Sequence, residues 1–252
     1  MSGLKFNHVG PSPITSGVGI DFETVSSNQD KYAVGRRIFD AAGNEYVRVQ
    51  AATGGITRGL TLNRPDLATP AVDDDVDAVQ AAGTNRLVSA GAFSSFTTGG
   101  LEQAWVYINL STGQGQIRWI GSVIDENTIE VTEPWTGDLA VTSDFIVVRP
   151  FRVGINPATA TPVSAVARND ASAGEFFWAQ VEGTALVQVD AAEDPIVPGD
   201  IVTQSLASAG LVEGVTAAGT ALADVSGMVG VGIIDTAGGI ATPIQLRLSG
   251  KM

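Results

Sequence analysis

YVRVQAATGGITRGLTL (Tyr46–Leu62) decides the fold, because the chain repeats its grammar as LVQVDAAEDPIVPGDIV (Leu186–Val202). Without a gap, Val47 matches Val187, Val49 matches Val189, and Ala51 and Ala52 match Ala191 and Ala192. Ile56 then matches Ile196, and Gly59 matches Gly199. Alternation with period two places both valines of each stretch on one sheet face. The lone isoleucine seals the bottom of a core, and the glycine permits a tight turn into the next strand. A chain rich in valine, alanine and glycine also echoes itself by chance, since short strand–turn words are common. Taken as real, the echo implies related β-units and a structural theme.

The rest of the sequence agrees with short strands. Gly35 opens a hairpin, Arg36–Phe39 and Glu45–Gln50, with Gly43 and Asn44 in its turn; Leu60–Asn63 follows. Alternating runs recur at Asn85–Ala90, Trp105–Leu110, Gln116–Ile120, Thr128–Val131 and Phe145–Val148, joined by STGQG, DEN and WTGD turns. Further strands are expected at Val163–Arg168, Phe176–Glu182, Ala185–Val189, Ile201–Gln204, Gly210–Gly214, Val229–Ile234 and Ile244–Leu248. One helix is expected within Pro65–Gly83, capped by Asp73 or Asp74, with Val76 and Val79 on one face. Gly227, Gly230 and Gly232, close together in one strand, indicate close backbone packing or a bend. The fold class expected is all-β, of antiparallel β-sandwich or barrel domains. Residues 1–34 form an extended N-terminal arm broken by Pro11 and Pro13. Residues 35–81 and 151–252 form the main domain, with a small β-module, 82–150, inserted between them.

Composition narrows the function. The net charge of −13 argues against a nucleic-acid partner, which needs a basic stripe, and against an anionic membrane surface. The start of the chain has no apolar core of signal-peptide length, so no export is expected, and no apolar run is long enough to span a bilayer. There is no cysteine, and the single histidine, His8, lies in the arm. Triads, histidine bases and multi-histidine metal sites therefore lack their residues. The acidic run Asp73, Asp74, Asp75, Asp77 lacks the glycine and distal glutamate of a calcium loop and reads as a solvated turn or helix start. Asp125, Glu126, Glu130 and Glu133, flanking Trp135, are the remaining route to acid–base chemistry on a sugar. Trp119 and Trp135 read as anchors of a small core. No catalytic residue, cofactor or metal is expected.

Phe176, Phe177 and Trp178 are consecutive, so their rings point to both faces of one strand. Either one face exposes a ring as an interface, or both are buried between packed sheets. Together with Phe6, His8, Pro11, Pro13 and Phe22 of the arm, Phe177 and Trp178 are the candidate partner contacts.

FFWAQVEGTALVQVDAAEDPIVPGDIV (Phe176–Val202), followed by AGLVEG and SGMVGVGIIDTAGGIATPIQLRL, resembles the small capsid decoration (cement) proteins of tailed bacteriophages. GRRIFDAAGNEYVRVQAATGGITRG (Gly35–Gly59) is similar to their opening unit. GQIRWIGSVIDENTIEVTEPW (Gly115–Trp135) resembles a β-module of phage virion surface proteins. The inserted module makes the chain longer than a minimal cement protein. The resemblance implies a non-enzymatic virion protein, made in the host cytoplasm. It would bind the major capsid protein on the outer surface of the head, as a homo-oligomer with a trimer favoured. The alternative is a glycan- or receptor-binding protein of a head or tail fibre.

Overall fold

The computed structural model describes the chain except residues 1–33, 53–54, 98–99, 102, 160, 192–195, 216–226, 235–240 and 249–250. The arm and its candidates Phe6, His8, Pro11, Pro13 and Phe22 lie outside the described residues. The strands β1 (Arg37–Phe39), β2 (Glu45–Ala51) and β3 (Thr61–Asn63) come first. Then follow β4 (Val72–Asp75), β5 (Arg86–Val88), β6 (Trp105–Ile108), β7 (Ile117–Asp125), β8 (Thr128–Val131) and β9 (Asp144–Val148). The series ends with β10 (Arg152–Ile155), β11 (Ala165–Ala167), β12 (Phe176–Glu182), β13 (Thr184–Gln188), β14 (Ile201–Gln204), β15 (Val212–Val215), β16 (Met228–Gly232) and β17 (Ala241–Leu246). The protein is all-β, with two short 3₁₀ turns at Pro65–Leu67 and Ser94–Phe96 among the described residues.

Arg64–Arg152 forms one compact unit, and the residues flanking it form the other. The insertion therefore starts at Arg64 and not at Ala82. The expected helix is the cause of the difference. Val72–Asp75 is a strand that pairs with β9, Val72 opposite Val147 and Asp75 opposite Asp144, so it belongs to the inserted sheet. Val76 is buried and Val79 is 66% exposed, which one helical face does not allow.

In the flanking unit the strands form two rings of the same design. β2, β12, β11, β3 and β10 are neighbours in that order, and β10 returns to β2. β13, β17, β16, β14 and β15 follow the same order, and a parallel bridge from Val189 to Val212 joins the last to the first. Strand for strand in sequence, both rings run first–fifth–fourth–second–third. The other neighbouring strands run antiparallel, so five strands force one parallel contact, between first and third.

Register confirms the equivalence. Gly59 N donates to Ala167 O at 2.9 Å and Ala167 N donates to Leu60 O at 2.9 Å. In the second ring Gly199 N donates to Gly232 O at 3.0 Å and Gly232 N to Asp200 O at 2.9 Å. Gly59 and Gly199 both sit at positive φ, 86° and 92°, where a Cβ would strain the turn. Ile56 and Ile196 are both buried beneath it, at 1% and 0% exposure. The ungapped sequence match, however, is two residues out in the first strand. Ala179 faces Val47 and Ala167, whereas Ile244 faces Ala185 and Gly232. Since Ala167 corresponds to Gly232, Val47 corresponds to Ala185 and Val49 to Val187. A shift of two keeps every side chain on its face, so alternation alone cannot detect it.

The connection between second and third strands sets the two barrels apart. In the second barrel it is the short segment 205–211; in the first it is the whole inserted unit. That unit is a curled six-stranded sheet in the order β4-β9-β6-β7-β8-β5. Its edges approach closely enough for Asp77 N to donate to Val88 O at 2.9 Å. Trp135, Phe93, Phe145, Leu87, Ile108 and Ile129 fill its core, and the Trp135 indole N–H donates to Arg86 O at 2.7 Å.

The end of the chain docks on the first barrel. Glu45, 4% exposed, pairs with Lys251 at 2.9 Å and with Arg37, whose guanidinium also donates to Met252 O. Burial raises the Glu45 carboxyl, but Lys251 and Arg37 outweigh it and hold it below its ordinary 4.5. A carboxyl depressed in the fold contributes stability above its unfolded value and loses it as pH falls through the folded one. Stability from this clamp is therefore complete at neutral pH and is lost below pH 4.5. Both cations stay reachable by water, so Glu45→Ala costs about 1 kcal/mol at pH 7. Acid titration of thermal stability checks this: the wild type and Glu45→Ala converge as pH falls below 4.5.

Candidate functional site

Phe177 and Trp178 are not exposed contacts. Both are fully buried, and Phe176 is 6% exposed. Phe177 pairs with Val49, and Trp178 with Arg48, on the opposite face of β12. There the Arg48 guanidinium lies 5.6 Å from the Trp178 ring centroid, and Arg48 is itself buried. Burial on both faces is the outcome for this strand.

The acids near Trp135 serve a turn and cross-strand bonds. Asp125 accepts from Asn127 N at 2.8 Å, and Glu130 accepts from Asn85 Nδ2 at 2.9 Å and from Ser122 Oγ at 3.4 Å. Glu126 and Glu133 are exposed. Asp73, Asp74 and Asp75 line the edge strand β4, all exposed, where charge opposes edge-to-edge pairing. Asp144, opposite Asp75, has its carboxyl pushed up by the hydrogen bond between the two. No cluster of three or more His, Cys, Asp or Glu among the described residues has metal-binding geometry.

Two features remain. The first is a recess of about 280 Å³ on the flanking unit, lined by Asp40, Tyr46, Arg58, Arg168, Gln180 and Leu186 among others. Asp40 accepts from Ala42 N (2.9 Å), Asn44 N (2.9 Å), Asn44 Nδ2 (2.7 Å) and Tyr46 OH (3.1 Å). Burial opposes its ionisation, yet the bonds from Asn44, Tyr46 and Ala42 keep its carboxyl below the ordinary value. Burial first, and then Asp40, pushes the Tyr46 hydroxyl up to about 12. Tyr46 thus stays protonated at neutral pH and donates a hydrogen bond. This arrangement fixes the β1–β2 turn and the face of the barrel.

The second feature is the outer face of the inserted sheet. Trp105 pairs with Trp119 and Tyr107 with Ile117 across β6 and β7, all four on one face. Val106 and Ile108 on the other face are fully buried, while Trp119 is 47% and Ile117 54% exposed. Trp135 is a core anchor as expected; Trp119 is not. β6 is apolar on both faces, and in β7 Arg118 lies on the inner face opposite Val106 while Ile117 and Trp119 point outward, so alternation does not single out the outer rings. Ile124, further along β7, is also exposed. Among the described residues no helix is long and apolar enough to cross a membrane. Comparisons of the chain with family models, with curated proteins and with solved structures find no match.

Proposed function

We propose that this is a non-enzymatic virion protein of a tailed phage, which binds the outer surface of the assembled head and holds its subunits together. Its partners in this reading are the major capsid protein and other copies of itself. The observation that carries the reading is the set of large apolar side chains turned outward. Ile117, Trp119 and Ile124 lie on one strand of the inserted unit, and Ile201, Ile233 and Ile234 on the second barrel; all six are more than 40% exposed. Outward apolar side chains of this size mark surfaces that are covered in use. On a lattice many weak contacts of this kind add by avidity. The stretches that resemble decoration proteins form β1, β2 and β12–β17, and so lie in the duplicated scaffold, outside the inserted unit. Co-sedimentation of the purified chain with heads lacking it tests the reading: saturable binding supports it, and its failure to bind at any ratio removes it.

A second reading is favoured by Trp119 and Trp105, since paired aromatic rings on a sheet face can stack on sugars. In that case Trp119→Ala leaves the fold intact and abolishes binding on a glycan array. An array without signal for the wild type discards it.

A further inference from the structure

The recess beside Tyr46 lies where the first barrel departs from the second. β1 has no counterpart in the five-stranded second sheet, so the β1–β2 turn that brings Asp40 and Asn44 to the recess is an addition. Two arginines of its lining are additions too. Gly59 corresponds to Gly199 and Ala167 to Gly232, so Arg58 stands where the second barrel has Pro198, and Arg168 where it has Ile233. A barrel of this design therefore closes without a cation at either position. The chain has 14 Lys and Arg against 27 Asp and Glu, and two arginines that the scaffold does not need belong to a site placed on it.

The recess is built in advance of any ligand. Gly59 N donates to Ala167 O at 2.9 Å, which makes Arg58 and Arg168, next to these two residues, neighbours across the bond. The Arg58 backbone is held on both sides. Its N–H donates to Asp170 Oδ1 at 2.7 Å, and its carbonyl accepts from Gln188 Nε2 at 2.6 Å. The other polar groups are already paired with one another. Gln180 Nε2 donates to Glu182 O at 3.1 Å and to Thr184 O at 2.9 Å. The Asp40 carboxylate takes its donors from Ala42, Asn44 and Tyr46. Arg58 is exposed, and its guanidinium forms no ion pair among the described residues. Arg168 is half-buried, and its charge acts on the Tyr46 hydroxyl.

Charge and shape select what fits. Arg58 and Arg168 against Asp40 leave one positive charge, which suits a single carboxylate better than a dianion. The guanidinium fork matches the two oxygens of a planar carboxylate. Val166 and Leu186 line the same 280 Å³ with apolar surface, where a short methylene chain can lie. The net charge of −13 repels polyanions from the surface at large, so the recess is suited to one small anion.

We propose that this recess is a binding site for one aliphatic carboxylate, gripped by Arg58 and Arg168 with its methylenes against Val166 and Leu186. The carboxylate comes either from a glutamate side chain of a partner protein or from a free short-chain acid. The site belongs to the isolated chain and does not rest on the virion reading.

NMR titration of the isotope-labelled full chain tests it with two probes, glutamate blocked as N-acetyl and C-terminal amide, and butyrate. Both shift the Arg58 and Arg168 signals saturably. Blocked glutamine, which has no charge, does not, and inorganic phosphate binds more weakly. Tighter binding of blocked glutamate than of butyrate assigns the site to a partner's side chain; equal or weaker binding assigns it to a free acid. Arg58→Gln weakens binding about tenfold. It melts as the wild type does, since the second barrel has Pro198 there. Arg58→Lys keeps the charge without the fork and lies between, while Arg86→Gln, on the inserted unit, binds as the wild type. The absence of saturable shifts with both probes overturns the proposal. So does equal binding of blocked glutamine, tighter binding of phosphate, or unchanged affinity in Arg58→Gln. A chain that takes neither probe and still binds heads would leave the virion reading standing.

Discussion

Asp66→Ala is expected to unfold the inserted unit at a temperature well below that of the wild type, losing about 3–5 kcal/mol. Asp66 is 2% exposed and sits where the chain enters this unit. It accepts from Arg149 Nε at 2.6 Å, Arg149 Nη2 at 3.3 Å and Arg152 Nη1 at 3.1 Å, where the chain leaves. The clamp closes a loop of almost ninety residues at its neck. Removing the carboxylate takes from two guanidinium groups, with side chains 15% and 25% exposed, the anion that they share. That desolvated charge is the main cost. Asp66→Asn keeps an acceptor but not the charge, and is expected to lie between. Tryptophan fluorescence reads the effect selectively, because Trp105, Trp119 and Trp135 are in the inserted unit and only Trp178 is in the barrels. A fluorescence transition within a degree of the wild type would contradict the clamp.

Gly230→Ala is the second large effect. A Cβ at Gly230 would stand 2.2 Å from Gln245 O and 3.0 Å from its carbonyl carbon. Backbone cannot move aside as a flexible side chain can, so β16 and β17 must separate where they pair, Gly230 opposite Leu246. The strand cannot shift the other way without meeting β14, where Gly230 faces Val202. Overpacking of this kind costs about 3 kcal/mol. The first barrel supplies the comparison. Its corresponding residue, Ala165, is fully buried and carries a Cβ, so Ala165→Gly costs only about 1 kcal/mol through backbone entropy and lost packing. Far-UV circular dichroism melts of the two variants should differ by several degrees. Equal melting temperatures would show that the second barrel is not closed as tightly as described.

Most strands were legible because alternation and turn residues survive in a chain with 30 glycines and 11 prolines. Three things were not. Val72–Asp75 reads as the start of a helix, because an acidic run before valines looks like a cap, and only its pairing with Phe145 and Val147 makes it a strand. The first-strand register of the repeat was misread by two residues, since Val47 and Val49 can be laid on either pair of inward positions without changing face. The third was the distinction between inner and outer rings. Trp119 is outward while Trp178 is buried, yet each is flanked by apolar neighbours on its own face of the strand, Ile117 and Phe176. Burial there depends on which layer covers the strand, and that is a tertiary fact.

The central claim is that this duplicated barrel adheres to a head lattice in many copies. Quantitative mass spectrometry of purified phage particles from the organism that encodes the chain measures it directly. The account predicts a copy number in fixed proportion to the major capsid protein, removed by mild surface treatment while the capsid remains. Particles that contain none of this chain, or only the few copies of a tail part, would contradict it.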